Sequence, residues 1–248
     1  LNPIVKFLCN KPYENRVAAL PFRTPEQFAL FSGRSGLYNI EWAQQLFPFY
    51  NIQSLDIIQM PRVPEDWKAY LEALSPNDSP ESVQRIARKW QLTNTRYLLG
   101  PSGYLEVMNQ QLDPAQKRFR ILQRFDVLPK PGIAHPTQLE ELTAVADDKG
   151  PYALFEFTGA LPRAKLYGNW QVNTNNQAVL KTLADPTFDP AKTALVDTPQ
   201  KDLAAAATND NSGTVEYQSY APKRIVLSTQ AAVPTVLLLN DKYDPNWS

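Results

Sequence analysis

Residues 159–170 read GALPRAKLYGNW, placing a guanidinium, an ammonium, a phenol and an indole within eight positions: Arg163, Lys165, Tyr167 and Trp170. A cation among aromatic rings is suited to holding an anion or a sugar. With Trp42 and Trp67 from the aromatic-rich first third of the chain, the candidate ligand-binding set is Trp42, Trp67, Arg163, Tyr167 and Trp170. The same residues also have a packing role open to them. Pro162 ends one strand and the chain re-enters a sheet at Ala164, so alternation puts Leu166 on one face and Lys165 and Tyr167 on the other. Arg163 at that bend then makes a structural ion pair or caps carbonyls, and the indoles serve as core and interdomain packing.

Other chemistry is sparse. His135 is the single histidine, lying between prolines in PGIAHPTQ, which reads as a loop. Cys9 is the single cysteine, so an internal disulfide and a thiolate metal cluster are excluded, and no metal site built on several imidazoles is available. Glu140/Glu141, Asp147/Asp148 and Asp241/Asp244 are the carboxylate pairs. Glycoside hydrolysis needs two carboxylates across a cleft, one with a raised pKa. The first two pairs lie in a polar, loop-like stretch, and the third flanks a turn whose amides it can cap. GRSG at 33–36 lacks the Lys-Ser/Thr of a phosphate loop, and no GxSxG nucleophile elbow occurs. No catalytic residue, metal ligand or cofactor is assigned.

The elements that must position these groups change character along the chain. Helices are expected over 2–9, where Asn2 caps and Pro3 opens, over 64–74, and over 79–91 with Ser79 as cap. A short strand is expected at 16–22. Beyond residue 93 the chain reads as strands at 96–100, 118–128, 152–159, 164–172, 192–197, 214–222, 223–230 and 235–241, with one helix at 175–185. Residues 197–214 read as an exposed loop. The expected fold is α+β: an α-rich region over 1–92, packed on a mostly antiparallel, sandwich-like β domain over 93–248. Lys and Arg together number 25 and so do Asp and Glu, a balance that calls for no nucleic acid. No apolar run reaches the length of a membrane helix.

Several segments in order, Ala160–Ala164 (ALPRA), Asp185–Val196 (DPTFDPAKTALV), Ser219–Leu227 (SYAPKRIVL) and Asn240–Ser248 (NDKYDPNWS), resemble the extracytoplasmic region of YfhO-like bacterial membrane proteins. These are polytopic proteins similar to glycosyltransferases that take sugars from polyprenyl-phosphate carriers. NPIVKFLCNKPYENRVAALPF resembles the helix–strand opening of that region. The family's glycine in YxPGW is Asn246 here, and the chain starts without Met and stops at Ser248, so a piece of a longer protein is expected, its β domain lacking final strands. The resemblance implies an extracytoplasmic, non-catalytic accessory domain of a membrane protein of envelope glycan or lipid-linked sugar transfer. Its expected partners are the transmembrane portion of its own chain and a glycan or lipid-linked sugar. Two alternatives stand beside it: a carbohydrate-binding module using an aromatic interdomain cleft, and a soluble glycoside hydrolase.

Overall fold

The computed structural model describes residues 1–20, 42–43, 45–55, 63–198, 213–221 and 223–241. The fold class is α+β, and the chain divides into two units. The first comprises Leu1–Pro64 and Pro76–Ala160, the second Glu65–Ser75 and Leu161–Ser248. The readings at 33–36, 199–212, Asp244 and Asn246 lie outside the described residues.

The first unit is built on a five-stranded sheet. Its strands are β1 (Arg16–Ala19), β2 (Thr95–Pro101), β3 (Phe119–Pro129), β4 (Leu142–Ala146) and β5 (Tyr152–Phe157), in the order β1-β2-β5-β3-β4. β1 and β2 pair in parallel and every other neighbour is antiparallel. Parallel neighbours need a crossover, and the helix Arg85–Leu92 lies on that connection. β5 is central, and all six of its residues are buried. Its side chains alternate between two cores. Tyr152 and Leu154 meet Ile4, Val5 and Leu8 of the helix Pro3–Leu8, while Ala153, Phe155 and Phe157 meet Ile86, Ala87 and Trp90 of the helix Arg85–Leu92. Helices therefore cover the sheet on both faces.

Local chemistry sets the ends of these elements. Asn2 caps the first helix as expected, its side chain accepting from the Val5 amide at 2.9 Å. The helix expected over 79–91 begins instead as a 3-10 turn, Pro80–Gln84, and Ser79 makes no side-chain cap bond. The Ser82 hydroxyl folds back onto the Asn77 and Ser79 carbonyls at 2.8 and 2.5 Å. Asn109 acts as a false strand neighbour at the start of β3, accepting from the Phe119 amide and donating to its carbonyl, both at 3.0 Å. Gly150 lets the chain turn into β5 against β3, since a methyl group there would lie 2.4 Å from the Phe125 carbonyl carbon.

A division at residue 92 would cut this sheet, because β1 precedes that point and its neighbour β2 follows it. The partners are far apart in sequence, so the change in composition near 92 marks no structural boundary. The strand β4 also lies where a polar loop was expected. Only its central Ala144 is buried, which is how an edge strand escapes an apolar pattern.

The second unit holds β6 (Ala164–Tyr167), β7 (Trp170–Val172), β8 (Ala194–Val196), β9 (Thr214–Ala221), β10 (Arg224–Gln230) and β11 (Val236–Leu239). They form three two-stranded ladders: β6 with β11 and β9 with β10, both antiparallel, and β7 with β8 in parallel. The single strand expected over 164–172 breaks at Gly168–Asn169 because its halves have different partners. Asn169 bridges to the neighbouring segment through its side-chain amide, which reaches the Thr193 hydroxyl at 3.0 Å. The hairpin expected over 214–230 is β9–β10, with Gln218 as an extra residue in its register. The helices Glu65–Ala73 and Asn176–Ala184 pack together, the second capped by Asn175 on the Ala178 amide at 3.0 Å.

Candidate functional site

Arg163 sits where the chain enters β6, and its side chain is only 2% exposed. The carbonyl of Arg163 accepts from the Asn240 amide at 2.6 Å, just beyond the end of β11. Its Nη2 forms an ion pair with Asp241 and donates to the Tyr220 hydroxyl at 3.2 Å. The guanidinium carbon also lies 5.5 Å from the centre of the Tyr220 ring, which in turn meets Tyr217 edge-on at 6.2 Å. Arg163 Nε and Nη1 have no hydrogen-bond partner among the described residues. Three separate stretches thus converge on one cation: the bend before β6, the end of β9 and the chain after β11. Asp241, expected to cap turn amides, is here the partner of a buried guanidinium.

The other expected site residues serve packing. Lys165 Nζ lies 5.0 Å from the centre of the Tyr167 ring, as alternation along β6 requires. Tyr167 and Trp170 are brought together in a small core with Ala194 and are 2% and 7% exposed. The Tyr167 hydroxyl donates to the Pro190 carbonyl at 2.9 Å. Burial, reinforced by Asp189, pushes the Tyr167 phenol up to about 12. Trp42 belongs to the first unit, where it is buried 6.1 Å from the Phe125 ring. Trp67 is half-buried and stacks on Tyr70 at 5.5 Å. Tyr167→Phe is expected to lower stability by about 1 kcal/mol, because one buried hydrogen bond is lost and the Pro190 carbonyl is left unmet. Urea unfolding of the two chains measures this, and equal midpoints would mean that the hydroxyl contributes nothing net.

The carboxylate pairs do local work. Glu141 is half-buried and accepts from the Thr137 and Gln138 amides at 2.6 and 3.1 Å, bonds that hold its carboxyl below the usual range. Asp147 accepts from the Lys149 amide at 2.9 Å in the turn before Gly150. His135 is exposed in a bend. Cys9, at the end of the first helix, is half-buried, and burial raises its thiol pKa. Among the described residues no three His, Cys, Asp or Glu side chains gather as a metal would need, and no helix is long and apolar enough to cross a membrane.

One acidic centre escaped the reading of the sequence. Glu156 lies in β5 and is 3% exposed. Arg96 of β2 donates to its Oε1 from Nε at 2.7 Å, with Nη2 at 2.5 Å. Arg120 of β3 donates to its Oε2 from Nε at 2.5 Å and pairs with the same oxygen through Nη2. Burial alone would raise the Glu156 pKa, but the hydrogen bonds and charges of the two arginines outweigh it and hold the carboxyl below its usual value. The signal was present in YALFEF: one charged residue inside an otherwise apolar, fully buried run demands a partner. The strands flanking it each carry an arginine at their second position, Arg96 in β2 and Arg120 in β3. A second ion pair, Arg118 with Asp113 at 2.8 and 3.0 Å, is bidentate and stacks over Phe157 at 5.1 Å.

No family model, curated protein or solved structure matches the chain.

Proposed function

We propose that this chain is a non-catalytic, extracytoplasmic accessory domain of a polytopic membrane protein that transfers envelope glycans or lipid-linked sugars. The observation that supports this reading is the convergence on Arg163. The segments that carry the resemblance to YfhO-like proteins include ALPRA, SYAPKRIVL and NDKYDPNWS, which are not contiguous in the sequence. Arg163, Tyr220 and Asp241, one from each, meet around the buried Arg163 guanidinium. The DPTFDPAKTALV segment joins the same unit through Pro190, which accepts from Tyr167, and through β8. Motifs that recur because they hold a fold together suit a domain that supports chemistry performed elsewhere. Its β strands in this proposal belong to a sandwich.

Sugar recognition by an aromatic platform draws less support. Trp42, Tyr167 and Trp170 spend their ring faces on cores, leaving Trp67 as the one indole of the set with substantial surface. The purified chain is expected to leave polyprenyl-phosphate-linked sugars unchanged, whereas membranes carrying its full reading frame are expected to consume them. Turnover by the purified chain, or a reading frame that encodes no membrane helices, would overturn the proposal.

A further inference from the structure

The Glu156 centre has more positive charge than its own ion pairing requires. One arginine suffices to neutralise a buried carboxylate, and here two close on it from opposite sides. The sheet is distorted at both. Arg16 pairs with Thr95 and Val17 with Tyr97, so Arg96 is an extra residue in β2, held in a bulge. Ile121 pairs with Phe155 and Gln123 with Leu154, so Leu122 is extra in β3, two residues after Arg120. Bulges re-aim side chains and collect beside functional sites.

The result is layered. The Glu156 side chain is 4% exposed, while those of Arg96 and Arg120 are 40% and 63% exposed. Each guanidinium spends its Nε–Nη2 edge on one carboxylate oxygen, and neither has another partner among the described residues. Their Nη1 amino groups are therefore uncommitted. Tyr97 stands opposite Glu156 in the register, and the nearby Glu14 is engaged by Lys11 at 3.0 Å. Two cations over one anion leave a net positive charge at the surface of the unit.

We propose that Arg96 and Arg120, held in place by Glu156, form a binding site for a phosphate group, either a free phosphate or the phosphodiester of a lipid headgroup. Planar guanidinium forks match the oxygens of a tetrahedral anion and can each donate two bonds to it. Glu156 has already removed much of the rotamer freedom of both side chains, so ordering them costs a ligand little. The proposal is independent of the accessory-domain reading, because it rests on the first unit alone.

The test is a titration of the 248-residue chain with inorganic phosphate at constant low ionic strength, following the arginine Nε–H resonances by NMR. Saturable shifts of the Arg96 and Arg120 signals are expected, with chloride giving none. Arg120→Ala is expected to fold, since the side chain is largely exposed, and to weaken phosphate binding about tenfold or more. Absence of a saturable shift, an equal response to chloride, or binding unchanged in Arg120→Ala would overturn the proposal. Cosedimentation with vesicles of phosphatidylglycerol or of phosphatidylcholine separates the two sources. Capture by the anionic vesicles that Arg120→Ala abolishes assigns the site to lipid. Phosphate binding without vesicle capture assigns it to a free phosphate.

Discussion

Arg163→Ala is expected to destabilise the second unit by about 3 kcal/mol. Breaking one side of a buried ion pair costs roughly 3–5 kcal/mol, because the other charge is left without its partner. The lower end applies, since the Asp241 side chain is 21% exposed and can recover water. Tyr220 loses both a hydrogen-bond donor and the cation over its ring. The intact cluster is not worth that much in itself, because Arg163 Nε and Nη1 are buried without hydrogen-bond partners among the described residues. Replacing both charges, as in Arg163→Met with Asp241→Leu, is therefore expected to recover most of the loss. Urea unfolding gives the size of each effect. Amide exchange at Asn240, whose N–H is bound to the Arg163 carbonyl, locates it. If the single variant unfolds at the parent's midpoint, Arg163 is not the hub of the unit.

Glu156→Gln is expected to lose about 2 kcal/mol at pH 7, with the loss disappearing in acid. The buried carboxylate is the acceptor for both arginines, and a neutral amide accepts more weakly and only through its oxygen. The arginines are exposed enough to turn to water, which keeps the effect below that of a fully buried pair. The Glu156 pKa is lowered in the folded chain, against about 4.3 for an unfolded glutamate. Its stabilisation is therefore complete at pH values above the unfolded pKa. It is lost as pH falls through the folded pKa, where folded and unfolded chains both become protonated. The gap between parent and variant should be widest near neutrality and should close below about pH 4. A gap that stays constant from pH 7 to pH 3 would show that the carboxylate's charge plays no part.

Much of the secondary structure was legible because it depends on short-range pattern. β2, β3 and β5 stand out as apolar runs, and Asn2–Pro3 announces the first helix. What depends on a distant partner was hidden. Nothing near residue 16 says that Arg16–Ala19 will lie beside Thr95–Pro101, so the change of composition at 92 suggested a boundary inside a sheet. β4 was masked by the acidic residues on either side of it. The short helical segment Tyr104–Val107, continued by Met108–Leu112, was missed because only Met108 and Leu112 of it are buried, too few to show a periodic stripe. For the candidate site the position was similar. Arg163 drew notice through its aromatic neighbours, but its partners Tyr220 and Asp241 lie 57 and 78 residues further on. Glu156 could be recognised as unusual, yet only the sheet order shows that two arginines reach it.

The passage of the chain through its two units has a consequence for how it is made. The chain enters the first unit, leaves it for Glu65–Ser75, returns at Pro76, and departs again after Ala160. During synthesis neither unit can finish before the other has begun. The helix Glu65–Ala73 must wait for Asn176–Ala184, which is translated long after it, and β1 must wait for β2. The rings of Trp67 and Tyr70 on that helix and the apolar side chains of β1 thus stay uncovered while the ribosome works, and transiently exposed apolar surface is prone to aggregation. An order of assembly that begins with β3, β4 and β5, which follow one another in the chain, and draws β1 in later follows from the long connection that separates β1 from its neighbour β2.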